Sequence, residues 1–259
     1  MAAPVRALSV EESTRLSPNI IRLALVGDSL ADFPEGFEGG YVKLLFDRRG
    51  EPLRRVDGDV RAAVRRSYTV RSVDQGERML LLDAALHAVR GGREGPATRW
   101  IGRAKPGDEI AVAGPGSVKR LSADADHVVA IADPTSLPAL AVNLERLSSN
   151  ARGFAIVEVL SGQDRQDLRA PEGVSVHWVV NPSPSRDQSP LAEALLDAEW
   201  PSGRVSFWGA GEFHAMRLVR RYLREQNVAR DDLYCSSYWK LGATDEEHKR
   251  AKRKEQSPG

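Results

Sequence analysis

The spacing of apolar positions changes character halfway along the chain. Up to Gly116 the apolar stretches are short and partly alternating: Ile20–Val26, Tyr41–Phe46, Ser67–Val73, Met79–Leu86 and Glu109–Ala113. Pro34-Glu35-Gly36, Gly39-Gly40, Pro106-Gly107-Asp108 and Gly114-Pro115-Gly116 punctuate them. Short strands divided by regular turns predict an antiparallel sandwich or barrel. One helix is expected to interrupt it, beginning near Pro96 and including Ala97–Ala104.

Beyond that point the rhythm is different. His127–Ala132 is a continuous apolar run, the mark of a strand covered on both faces. Leu137–Leu147 has helical spacing, Phe154–Leu160 and Val174–Val180 read as strands, and Leu191–Ala198 as a helix. Arg204–Trp208 reads as a strand followed by a helix over Glu212–Gln226. Strands alternating with helices predict βαβ units and a parallel sheet. The boundary falls near residues 117–126. The expected organisation is therefore a β + α/β chain: an antiparallel barrel over 1–120, then a parallel-sheet domain over 121–259 with a C-terminal helix. Thr244 and Glu247 form a capping-box pattern at the start of that last helix. The Pro- and Ser-rich stretch Asn181–Pro190 reads as a loop.

Composition narrows the class. The 259 residues carry 37 basic and 36 acidic side chains, so no bulk charge draws the chain to nucleic acid. A single cysteine, Cys235, rules out an internal disulfide and fits a reducing compartment. The N-terminal stretch lacks an apolar signal-peptide core, and no apolar run approaches the ~20 residues that span a bilayer. The expectation is a cytoplasmic protein without integral membrane association. The five histidines show no metal-ligand spacing.

Two segments suggest chemistry. On a strand, Arg66, Tyr68 and Val70 of Arg66-Ser67-Tyr68-Thr69-Val70-Arg71 face one way, and Ser67, Thr69 and Arg71 the other. A flavin needs an aromatic surface for its ring, small donors for its ring edge and ribityl chain, and cations for its pyrophosphate. This strand offers all three, although it also reads as an exposed strand with solvated arginines. Gly95-Pro96-Ala97-Thr98-Arg99-Trp100 reads as a Pro-initiated helix start, whose free N–H groups suit a phosphate. A helix with Trp100 in the core is the plainer reading of the same residues.

In this order, R-x-Y-T-x-R, L-H followed by G-P-A-x-R-W, P-G-D and the Gly114-Pro115-Gly116 turn resemble the FAD domain of siderophore-interacting proteins. Asp133–Ala139, Trp208–Glu212 with the helix after it, and Tyr238-Trp239-Lys240-Leu241-Gly242 resemble the same family's nicotinamide domain. The resemblance covers roughly residues 15–255. It implies FAD held by Arg66, Ser67, Tyr68, Thr69, Arg71, His87, Gly95, Pro96, Ala97, Thr98 and Trp100. It implies NADPH or NADH at Asp133, Thr135, Ala139, Gly209, Ala210, Gly211 and Glu212, and a ferric siderophore at Lys43 and Lys240. The implied activity is reduction of siderophore-bound iron, with no catalytic side chain needed. Two features are this chain's own. The stretch Ala88–Glu94 lengthens the loop between His87 and Gly95. Ala132-Asp133-Pro134-Thr135 replaces the family's Gly-Asp-Glu-Thr, and Pro134 stiffens that turn. A flavin reductase with a protein partner such as a ferredoxin, and a siderophore- or flavin-binding module without turnover, remain open alternatives.

Overall fold

The computed structural model describes residues 4–56, 60–86 and 94–256. The chain divides into two compact units, Met1–Lys119 and Arg120–Gly259.

In the first unit, β1 (Val5–Ser17), β2 (Ile20–Val26), β3 (Tyr41–Phe46), β4 (Val64–Asp74), β5 (Met79–Ala85) and β6 (Glu109–Ala113) form a closed barrel. The order around it is β1-β2-β5-β4-β3-β6, with antiparallel pairing at every junction. Alternation decides which side chains enter. Leu8, Val10, Leu23, Leu25, Val42, Leu44, Phe46, Val70, Leu80, Leu82, Ile110 and Val112 share one buried core. Helix α1 (Pro96–Ile101) adds Ala97, Trp100 and Ile101 to it. Strand β1 had no counterpart in the sequence reading, because its second half, Glu11–Ser17, is polar and mostly exposed. Its first half closes the barrel by pairing with β6.

The second unit is a parallel sheet in the order β11-β10-β7-β8-β9. Its strands are β7 (His127–Ala132), β8 (Gly153–Val159), β9 (Val174–Val180), β10 (Val205–Glu212) and β11 (Leu233–Trp239). Helix α2 (Leu137–Glu145) is buried along nearly its whole length. Helices α3 (Pro190–Asp197) and α4 (Phe213–Glu225) pack Leu191, Leu195, Met216, Val219 and Leu223 on Val129, Ile131, Ile156 and Phe207 of the sheet. Helix α5 (Asp245–Gln256) rests on β11: His248 Nε2 lies 3.0 Å from Ser237 Oγ, and Lys252 Nζ donates to Ser236 Oγ and Ser237 O. The capping box forms as expected, with Thr244 N donating to Glu247 and Glu247 N to Thr244 Oγ1.

Two elements differ from the sequence reading. Strand β11 was not anticipated, because LYCSSYW has two serines at its centre and lacks an apolar run. Gly209-Ala210-Gly211 is not a turn after the strand but part of β10, paired with β7 on one side and β11 on the other. Its glycines admit neighbours: a Cβ on Gly209 would meet the Phe207 ring at 2.7 Å, and one on Gly211 would meet Asp133 Cγ at 3.0 Å.

Gly153 opens β8 at φ +136°, where a Cβ would stand 1.9 Å from Val128 O. A Gly153→Ala chain should therefore lose about 3 kcal/mol or more. Thermal unfolding checks this, and an unchanged Tm would show that the β7–β8 junction tolerates a side chain.

Candidate functional site

In the barrel unit the expected flavin strand is split by its own pleat. Tyr68 lies half-buried against the barrel core, opposite Val42. Burial pushes its phenol far above the ordinary tyrosine value, and the Arg66 charge pulls it part of the way back. Arg66 is half-buried and donates to Arg65 O at 3.0 Å. The other face carries Ser67 and Thr69, which stand opposite Lys43 and Tyr41 of β3. Lys43 Nζ lies 5.5 Å from the centre of the Tyr41 ring. The backbone of Gly116 passes so close to that ring that a Cβ would sit 2.2 Å from it. The structure thus sets Lys43, Ser67, Thr69 and the Gly-Pro-Gly turn around one aromatic ring. The sequence reading had not named that ring.

The remaining barrel candidates are more constrained. Arg71 lies 3.9 Å from Asp83, a buried carboxylate already held by Arg22 at 2.7 and 2.8 Å, so part of its charge is engaged by the protein itself. Trp100 is 3% exposed and sits edge-on to Phe46 with ring centres 6.3 Å apart. The indole is core packing, the plainer of the two readings of that segment. Gly95 is the N-cap of α1 with Pro96 at the first turn, and no side chain caps the helix. Ala97 is buried and Thr98 is half-buried. His87 lies outside the described residues.

In the second unit the expected coenzyme residues gather at the carboxyl ends of β7 and β10. Asp133 is 2% exposed, yet its carboxylate is fully served. Oδ1 accepts from Thr135 N at 2.9 Å, Thr135 Oγ1 at 2.6 Å and Ser136 N at 3.2 Å. Oδ2 accepts from the Trp239 indole N–H at 2.6 Å. Ser136 Oγ then donates to Ala210 O at 2.6 Å, pinning the turn to β10. Glu212 is the N-cap of α4: one oxygen accepts from His214 N and Ala215 N, the other from Leu241 N at 3.0 Å. Ala139 and Ala210 are buried. The buried Nε2 of His214 finds no hydrogen-bond partner among the described residues. Lys240 Nζ lies 4.9 Å from the centre of the Phe213 ring.

Sequence reasoning passed over Glu158. It is buried near the end of β8 and hydrogen-bonded to Asn181 and to the Leu191 backbone. Burial first, then the carboxylates of Asp133 and Glu212, raise its pKa to about 7. The signal lay in FAIVEVL, a charge inside a buried apolar run. Burial pushes the Cys235 thiol up to about 12, which disfavours the thiolate. A cavity of about 380 Å³ lined by Asp126, His127, Asn150 and Arg152 lies at the opposite, amino-terminal edge of the sheet. Open α/β sheets bind ligands at the carboxyl edge instead. No helix among the described residues is long and apolar enough to cross a membrane.

A closed antiparallel barrel followed by a parallel α/β unit defines a flavin-reductase class of fold, of the ferredoxin-reductase type. Residues 9–119 match the siderophore-interacting FAD-binding domain and residues 125–242 the siderophore-interacting protein domain. The chain is 31% identical to ferric vibriobactin reductase ViuB of Vibrio cholerae serotype O1, over 93% of this chain and 91% of that one. It is 24% identical to an NADPH-dependent ferric-chelate reductase of Escherichia coli, over 90% and 92%. The crystal structure of the siderophore-interacting protein SipS from Aeromonas hydrophila superposes with a TM-score of 0.85 at 30% identity, covering 97% and 98% of the two chains. The chain belongs to the siderophore-interacting protein family.

Glu158 generates a pH prediction. A carboxyl whose folded pKa is raised binds its proton more tightly folded than unfolded, so its favourable contribution is complete below pH 4.5. That contribution is lost as pH rises to about 7. The loss amounts to about 3 kcal/mol. Glu158→Gln should flatten the fall in Tm across that window and raise Tm at pH 8. An identical slope in both proteins would show that Glu158 titrates normally.

Proposed function

We propose that this chain reduces ferric iron held by a siderophore, with FAD on the barrel unit 1–119 and NADPH, the electron donor, on the unit 120–259. The observation that carries the reading is the end-to-end likeness to ferric vibriobactin reductase. The net reaction is balanced without a protein nucleophile: one NADPH and two Fe(III) give NADP⁺, a proton and two Fe(II). FAD, when bound, supplies the conversion from a hydride donor to single-electron delivery. Reduction lowers the charge on iron and weakens the hold of hard oxygen ligands, so iron can leave.

The residues present fit FAD. Tyr68 offers a partly exposed ring anchored on the core, and Ser67 and Thr69 supply hydroxyls. Arg66 supplies a cation, and the uncapped first turn of α1 at Gly95–Thr98 supplies donors for phosphate. In the second unit Thr135 and the backbone of Gly209–Gly211 lie at the carboxyl ends of the strands, where NADPH would dock. Asp133 contributes there by shaping the turn. Lys43 and Lys240 are the proposed cations for the anionic chelate, each held beside an aromatic ring. Release of the iron in the cytoplasm is a further part of this proposal, and a ferredoxin is the alternative donor. If NADPH fails in the assay and a reduced ferredoxin succeeds, the donor is reassigned.

Two outcomes test the residues. The Arg66→Ala, Tyr68→Ala pair should abolish retention of FAD through gel filtration; undiminished flavin content would move the cofactor elsewhere. Replacing Lys43 and Lys240 together by Ala should raise KM for an anionic ferric siderophore roughly tenfold at low salt, with flavin content unchanged. The penalty should shrink as salt rises. Equal KM values for anionic and neutral chelates in both proteins would remove the lysines from the site.

A further inference from the structure

The carboxylates of Asp133 and Glu212 lie where a coenzyme is expected, but their oxygens are occupied by the protein. Asp133 takes the Thr135 and Ser136 donors on one oxygen and Trp239 Nε1 on the other. Glu212 takes His214 N and Ala215 N on one oxygen and Leu241 N on the other. Trp239 and Leu241 are the two neighbours of Lys240. The segment has a third tie, from Arg186 Nη2 to Leu241 O at 3.0 Å.

A register shift makes this possible. Along the β10–β11 pairing Gly211 stands opposite Ser237, but Glu212 stands opposite Trp239. Tyr238 is the extra residue. Such a bulge re-aims the side chains that follow it. Here Tyr238 is left exposed and the Trp239 indole meets the buried Asp133 carboxylate. Gly211 takes part as well: any side chain there would crowd the Asp133 carboxylate at 3.0 Å. Lys240 then extends over the Phe213 ring at 4.9 Å, and Phe213 is the first residue of the helix that Glu212 caps. One carboxylate therefore fixes both the backbone next to Lys240 and the start of the helix whose ring lies under its ammonium.

We propose that Asp133 and Glu212 are positioning residues for Lys240, clamping Trp239 and Leu241 on either side of it so that its ammonium is held ready for an anionic ligand. The proposal rests on the reading of Lys240 as an anchor for the ferric chelate. A lysine has much rotamer freedom to lose when it binds. A fixed backbone and a ring beneath the charge remove part of that loss in advance.

A double-mutant cycle tests it. Trp239→Phe removes the indole N–H, and Lys240→Ala removes the charge; flavin content and Tm are recorded for each. Steady-state KM is measured for an anionic ferric siderophore at low salt. Stopped-flow mixing with NADPH measures reduction of the bound flavin. Trp239→Phe should raise the chelate KM about threefold and leave reduction by NADPH unchanged. In the Lys240→Ala background the same substitution should have no further effect, because the lysine it positions is gone. Should Trp239→Phe fail to fold, Arg186→Ala loosens Leu241 from an exposed position and enters the same cycle. An undiminished effect of either substitution in the Lys240→Ala background overturns the proposal. So does slower reduction by NADPH, which would show that the Trp239 bond serves the coenzyme turn at Asp133 rather than Lys240. An unchanged chelate KM in Lys240→Ala alone is a different failure, because it removes the anchor role underneath.

Discussion

A carboxylate hidden from water must be solvated by the chain that hides it, and Asp133 shows how much order that requires. Two backbone amides, a hydroxyl and an indole converge on its two oxygens. The donors come from the turn after β7 and from the end of β11, which β10 separates in the sheet. Leaving a buried charge unserved is strongly destabilising, so these segments are held in one arrangement. Ser136 extends the link to β10 through Ala210. The carboxyl edge of the sheet is thus fixed by one buried charge and its donors. Glu212 repeats the arrangement one strand away.

The same edge explains Glu158. It has fewer donors than Asp133, and burial together with the nearby Asp133 and Glu212 carboxylates raises its pKa. It therefore holds its proton to higher pH than an ordinary glutamate. The chain therefore gathers three carboxyl groups near the ends of neighbouring strands, two of them held by several hydrogen bonds. In the barrel the corresponding constraint is steric. Gly116 brings the backbone against the Tyr41 ring, and that ring carries Lys43.

Much of this was legible in the sequence, and the illegible parts have physical reasons. The run VVAIA of β7 is apolar on both faces, and only a covered parallel strand needs that. The switch from alternation to βαβ rhythm marked the change of architecture. Strand β1 escaped because half of it faces solvent, and β11 because an edge strand rich in serine looks like a loop. Trp100 was expected at a cofactor because aromatic residues in motifs attract that reading; a helix of one and a half turns has few other ways to reach the core. Asp133 and Glu212 stood out in the sequence, but one donor to each lies 106 and 29 residues away in the chain. Only the fold brings Trp239 and Leu241 to them. The alternation that splits Tyr68 from Thr69 was legible, yet its consequence needed β3, whose Tyr41 and Lys43 complete the outer face.

In the proposed function electrons pass from NADPH to siderophore iron through a flavin held by this chain. The most direct measurement is an anaerobic spectral titration of the purified protein. The account predicts an oxidised flavin spectrum that bleaches on adding NADPH and returns on adding ferric siderophore, with two Fe(II) trapped per NADPH consumed. A protein without flavin absorbance after saturation with FAD and gel filtration would contradict it. So would a bleached flavin that ferric siderophore leaves unchanged.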